Sequence, residues 1–206
     1  MKKSESLSHA RAHRAISRRD FAGLASIATA ALTMPRMLSA RISGTPPGEK
    51  SLAFYNLHTG ESLKTVYWAD GQYVPEALKQ INWILRDYRR NAVKPIDLGL
   101  LDLLYELDQK LETDQPFHII CGYRTPATNE FLREHSSGVA KHSMHMQAKA
   151  VDIRIPGCRL AILQRAALAL HEGGVGIYPI SDFVHVDVGR VRQWSFPAYT
   201  SLARRS

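Results

Sequence analysis

His145, Asp152 and His185 are the residues of this 206-residue chain whose types and spacing best suit chemistry. His145 closes Ser143-Met144-His145, and Asp152 closes Ala150-Val151-Asp152 shortly after it. His185 lies far downstream, in Phe183-Val184-His185-Val186-Asp187. Two imidazoles and a carboxylate are the donor set of a catalytic zinc. Zinc takes nitrogen at about 2.0–2.1 Å and carboxylate oxygen at about 2.0–2.2 Å, and leaves a fourth position for water, whose pKa falls to about 7. Taken singly, each residue is ordinary: a histidine between valines is usually a half-buried core residue, and a strand aspartate is usually a paired charge.

The elements around these residues are what bring them together. In Ala150–Ile155 the apolar Val151, Ile153 and Ile155 share one face of a strand, and Asp152 and Arg154 share the other. In Phe183–Val188 the valines point one way, while Phe183, His185 and Asp187 point the other. Two such strands side by side place Asp152 next to His185, and His145, on the loop entering the first strand, closes a third corner. Upstream, 51–57 and 62–68 read as a β-hairpin around His58-Thr59-Gly60-Glu61, with a further turn at Asp70-Gly71. Helical spacing predicts helices over 75–90 and 97–111, the first opened by Pro75 and the second capped by Asp97. A strand over 117–121 runs into Gly122-Tyr123-Arg124-Thr125-Pro126, which starts a helix through 134. A helix over 157–172 ends at Gly173-Gly174, and strands follow at 174–178 and 183–188. Helices first and strands clustered later predict an α+β fold, a small, largely antiparallel sheet with helices packed on it.

Ser143 to Asp152 reads S-M-H-M-Q-A-K-A-V-D. It resembles the S-x-H-x-x-G-x-A-x-D signature of the zinc D-Ala-D-Ala peptidase family, related in fold to the hedgehog signalling domain. Asp182-Phe183-Val184-His185 is similar to that family's second element, an acidic residue three before a histidine, and Gly122-Tyr123-Arg124-Thr125 to its arginine turn. The layout of hairpin and paired helices over 51–192 most resembles the murein endopeptidase K branch. The resemblance implies that His145, Asp152 and His185 bind Zn2+, that Asp182 is the general base, and that Arg124 stabilises an oxyanion. Ser143 and Asp187 are then orienting residues, with Asp187 the rival for the base, and His142 lies on the pocket rim. The implied activity is hydrolysis of amide bonds in peptidoglycan stem peptides or cross-links. The sequence departs from the signature at Ala148, where the family has Gly, which puts in doubt only a turn with positive φ there.

Composition adds limits. The formal charge of +8 is concentrated at the N-terminus, where 1–40 carries seven Lys/Arg against two acids. The weakly basic remainder needs no nucleic acid to explain it. Within 1–40, Arg18-Arg19-Asp20-Phe21 precedes an apolar run over 22–34, too short to span a bilayer but right for an export signal of the twin-arginine type. The expected organisation is therefore a signal peptide (1–40), a linker (41–50), a zinc peptidase domain (51–192) and a C-terminal tail (193–206), with the mature protein periplasmic, peptidoglycan its partner, and no membrane span after signal removal. Cys121 and Cys158 make no disulfide framework and read as two small buried residues, a single bridge between them being left open. Two rival readings remain. A non-catalytic zinc-containing module binding the wall would close all four metal positions with protein ligands, and an acidic residue near His185 together with Arg124 argues otherwise. A glycosidase would need two carboxylates flanking a sugar cleft, which the chain does not offer apart from the histidine pattern.

Overall fold

A computed structural model describes residues 48–136 and 138–196. The expected signal peptide, most of the linker and the end of the tail lie outside the described residues. The elements run β1 (Lys50–Asn56), β2 (Ser62–Ala69), β3 (Gln72–Tyr73), α1 (Pro75–Ile84), α2 (Leu98–Leu111), β4 (Phe117–Cys121), α3 (Pro126–His135), a 3-10 turn (Met144–Gln147), β5 (Ala150–Arg154), α4 (Leu160–Leu168), β6 (Gly174–Tyr178), β7 (Phe183–Asp187) and β8 (Arg192–Ser195). Among the described residues no helix is long and apolar enough to cross a membrane.

The fold is α+β, and its sheet is larger than the sequence suggests. Eight strands pair in the order β3-β2-β1-β4-β5-β7-β6-β8. Among the described residues only β1–β4 and β6–β8 are parallel, so the sheet is largely antiparallel. Two short strands enlarge it. β3 forms because Asp70 and Gly71, both at positive φ, make a tight hairpin turn after β2. β8 runs from the expected domain end at 192 into the expected C-terminal tail, because Arg192 and Trp194 have partners on β6 and β7.

One face of the sheet packs against the helices. Leu100, Leu101, Leu103, Leu104 and Leu107 of α2 and Ile81 and Ile84 of α1 meet Phe54, Phe117, Ile119, Ile153, Val184 and Val186 in one core. Leu98, at the first turn of α2, is exposed. α1 stops at Ile84, six residues short of expectation. The residues beyond it are drawn away by distant partners: Arg86 pairs with Glu61 at 2.7 Å, and the Asp87 carboxylate accepts from the Thr125 backbone N–H and hydroxyl at 2.9 and 2.7 Å. Those bonds fix the turn that carries Arg124 and the start of α3, so shortening the helix serves the site. α4 is likewise shorter than 157–172, and its Ile162 is exposed.

Candidate metal and active site

The opposite face of β5 and β7 carries the polar residues. The register pairs Asp152 directly with His185. His145 arrives on the 3-10 turn before β5, capped by Ser143, whose hydroxyl accepts the His145 backbone N–H at 3.3 Å. The turn closes at Ala148, which sits at φ 56°, ψ 33°. The positive-φ turn doubted for Ala148 is therefore present, and an alanine holds it. Ala148 is fully buried, and its backbone N–H bonds the His145 carbonyl at 3.1 Å, so the surroundings enforce a conformation that costs a non-glycine residue about 1–2 kcal/mol.

Three donor atoms converge there. His145 Nε2 lies 3.2 Å from Asp152 Oδ1 and 3.1 Å from His185 Nδ1, and His185 Nδ1 lies 2.9 Å from Asp152 Oδ1. The outward nitrogen of each ring is engaged elsewhere: His145 Nδ1 donates to the Gly122 carbonyl at 2.8 Å, and His185 Nε2 donates to Asp187 Oδ2 at 2.9 Å. A carbonyl can only accept, and the buried Asp187 carboxylate does the same, so the inward nitrogens of the neutral rings present lone pairs. Two lone pairs and a carboxylate oxygen thus face one another, an arrangement that calls for a cation at its centre. Burial alone pushes the His145 pKa down, yet the Asp152 carboxylate, with Cys121 beside it, raises it to about 10. Burial pushes Asp152 the other way, and His145 and His185 overcome it to hold the carboxyl far below its usual range. A proton is one cation that answers this field, and a divalent metal is the other. Tetrahedral ligands at zinc bond lengths lie about 3.3 Å apart, close to the three spacings here. The residues present fit zinc.

Behind His185, Asp187 is a hub. Fully buried, it accepts from His185, from Arg192 Nη2 at 2.6 Å and Nη1 at 3.0 Å, and from the backbone N–H of Gly174 and Gly189 at 3.2 and 2.8 Å. Gly174 makes room for this: a Cβ there would run into the Asp187 carboxylate and the Arg192 guanidinium. The sequence shows Gly173-Gly174 only as a helix stop and gives Arg192 no role, because neither reveals a close approach from another strand.

Arg124 stands on the other side of the donors. It is 8% exposed, donates through Nη1 to Asn129 Oδ1 at 3.1 Å and through Nη2 to Cys121 Sγ at 3.3 Å, and lies 3.9 Å from Asp152 Oδ2. Its Nε is buried without a partner among the described residues. Cys121 is a neighbour the sequence did not bring to the site. Its sulfur, with His145 and Asp152, makes a second set of ligand atoms within 4.8 Å of one another. The His185 set is tighter, and only there are both rings oriented from behind.

Asp182 is not brought to the donors. It sits at φ 56° on the turn before β7, and its carboxylate pairs with Arg154 Nη1 at 2.8 Å. A cleft of about 540 Å³ opens over the three donors, and Asp182 does not line it; it lines a separate depression with Arg154 and His118. The cleft does take in Arg124, His142 and Ser143. Its aromatic side is built from Tyr178, Phe183, Trp194 and Phe196. Tyr178 stacks on Phe183 with ring centroids 4.4 Å apart, and Trp194 Nε1 donates to Tyr178 Oη at 2.9 Å.

The chain is similar to known proteins of one family. The family model Peptidase_M15_2, described as peptidoglycan L,D-endopeptidase MepK, matches residues 45–194. The peptidoglycan L,D-endopeptidase MepK of Escherichia coli (strain K12) is 43% identical over 177 residues, spanning 86% of this chain and 96% of that protein. The probable peptidoglycan L,D-endopeptidase MepK of Haemophilus influenzae is 37% identical over 178 residues, 86% of this chain and 95% of its own. No solved structure gives a significant match.

Proposed function

The chain belongs to the peptidoglycan L,D-endopeptidase MepK family, and from that premise we propose that it hydrolyses an L,D peptide bond in peptidoglycan at a zinc held by His145, Asp152 and His185. The observation that carries the reading is the convergence of three donor atoms at 2.9–3.2 Å, with both rings oriented from behind. Zinc, when bound, supplies a Lewis acid and a water of pKa about 7.

The chain's own residues divide the remaining work. Gly122 and Asp187 hold the two imidazoles in the tautomer that points a lone pair inward. Arg124, locked by Asn129 beside the outer oxygen of Asp152, sets a permanent positive charge where negative charge develops on the substrate carbonyl. The aromatic side of the cleft packs against the aliphatic parts of the stem peptide. The proton shuttle passes from Asp182, the residue the family pattern suggests, to His142. Asp182 would have to release Arg154 and reverse its turn to reach the cleft, whereas His142 already lines it. An imidazole is well suited to moving a proton near neutrality. Ser143 acts on His145 through the turn it caps.

Peptidoglycan as substrate places the mature protein outside the cytoplasm. Arg18-Arg19 ahead of the apolar run supports twin-arginine export to the periplasm as the route. The test is digestion of purified cross-linked muropeptides, followed by mass spectrometry with and without a chelator. Products cut at the L,D bond, lost on chelation and restored by zinc, are expected. Wall binding without cleavage across a broad muropeptide panel would favour the binding-module reading instead.

A further inference from the structure

Cys121 has no part in the proposed hydrolysis, although the fold takes trouble to aim it. In a regular strand Cys121 would share the face of Ile119, two residues before it, and point into the core. β4 instead shifts register against β5 between these two residues. Ile119 pairs with Ile153 on the core face, while Cys121 pairs with Asp152 on the face that holds the site. A bulge is the local device that re-aims a side chain in this way. The sulfur therefore comes within 4.8 Å of donor atoms of both His145 and Asp152. It also accepts from Arg124 Nη2 at 3.3 Å and lies 3.6 Å from the Gly122 carbonyl.

The geometry points to Cys121 as a displaceable fourth ligand of the metal, a thiolate that alternates between the metal and a resting place on Arg124. This rests on the zinc reading of His145, Asp152 and His185. Charge favours it. With neutral imidazoles, a dication beside one carboxylate keeps a net positive charge, and the Arg124 guanidinium adds another in the same buried space. A thiolate removes one of these charges where uncompensated charge is costly. Sulfur is a normal zinc donor, at about 2.3 Å. A catalytic zinc keeps its fourth position for water, so the bound thiolate is a closed, latent form of the site, and the open form has the sulfur on Arg124.

The test uses cobalt in place of zinc. Co2+ added to the purified, metal-stripped full chain gives visible bands when it binds in tetrahedral geometry, and a near-ultraviolet sulfur-to-cobalt charge-transfer band only if a thiolate is a ligand. Wild type is expected to show both. The chain has two cysteines, so a Cys158→Ser variant that keeps the charge-transfer band assigns it to Cys121 even if changes at Cys121 fail to fold. Cys121→Ser should keep the visible bands and lose the near-ultraviolet one, and should bind Cd2+ more weakly relative to Co2+ than wild type, because the soft ligand is gone. Visible bands without a charge-transfer band in wild type would overturn the role of Cys121 and leave the three-residue site standing. Absence of both would overturn the metal reading and the inference with it.

Discussion

Replacing Asp187 by Asn keeps its size and one oxygen, and tests how the donor geometry is held. Both carboxylate oxygens face only donors: Oδ2 meets His185 Nε2 and Arg192 Nη2, and Oδ1 meets Arg192 Nη1 and the backbone N–H of Gly174 and Gly189. An amide NH2 must therefore be set against donors whichever way it turns. Placing it at the Oδ2 position opposes two donors rather than three. There it can donate to His185 Nε2 if the ring moves its own proton to Nδ1. That tautomer removes the inward lone pair which, at 2.9 Å from Asp152 Oδ1, completes the donor set. Loss of an orienting partner of this kind costs about 10–100-fold in metal affinity, or about 1.4–2.8 kcal/mol. Breaking a buried ion pair costs about 3–5 kcal/mol, and the loss of fold stability should fall below that because Arg192, 32% exposed, can turn to water. The assay is zinc affinity by chelator competition, with melting temperature measured with and without zinc. Wild-type affinity in Asp187→Asn would refute the claim that Asp187 sets the His185 tautomer.

Two further outcomes follow from the structure and a third from the N-terminal sequence. Asp182→Asn should keep most of its turnover, while His142→Ala should lose about 10²–10³-fold with zinc retained; the reverse would restore Asp182 as the base. Burial, with Asp114 nearby, raises the Asp108 pKa from 3.8 to about 6, at the C-terminal end of α2 where a negative charge also opposes the helix dipole. The folded chain then holds a proton that the unfolded chain has released, so this group's contribution to stability is greatest below pH 3.8 and is lost as pH rises through 6. Asp108→Asn should add about 1–2 kcal/mol at pH 7 and flatten that loss, a partial share of the full shift because the group is only half-buried; denaturant titration at pH 4 and 7 without such a difference would contradict it. Changing Arg18-Arg19 to Lys-Lys should hold the precursor in the cytoplasm, and normal export would point to the general secretory route.

What the sequence made legible and what it hid have a common physical basis. Period-2 alternation is local, so it placed Asp152 on the polar face of β5 and both His185 and Asp187 on that of β7, and the register puts the first two side by side. Family resemblance added Arg124, which lines the cleft. Hidden features were set by backbone conformation or by distant chain. Asp182 has the right spacing to His185, but its left-handed turn swings the carboxylate to Arg154. Arg86 and Asp87 continue a helical pattern, but Glu61 and Thr125 compete for them and end α1 early. Cys121 reads as one more apolar strand residue until the register shift in β4 turns it to the other face. Gly174 reads as a stop signal until Asp187 and Arg192 are seen against it.

His145, Asp152 and His185 are proposed to hold a metal together. The most direct test is the zinc content of purified wild type and His185→Ala, measured after exhaustive dialysis. Wild type should carry about one zinc per chain, as a single three-ligand site requires, and the variant should lose most of it while remaining folded. Full zinc occupancy in folded His185→Ala would contradict the assignment.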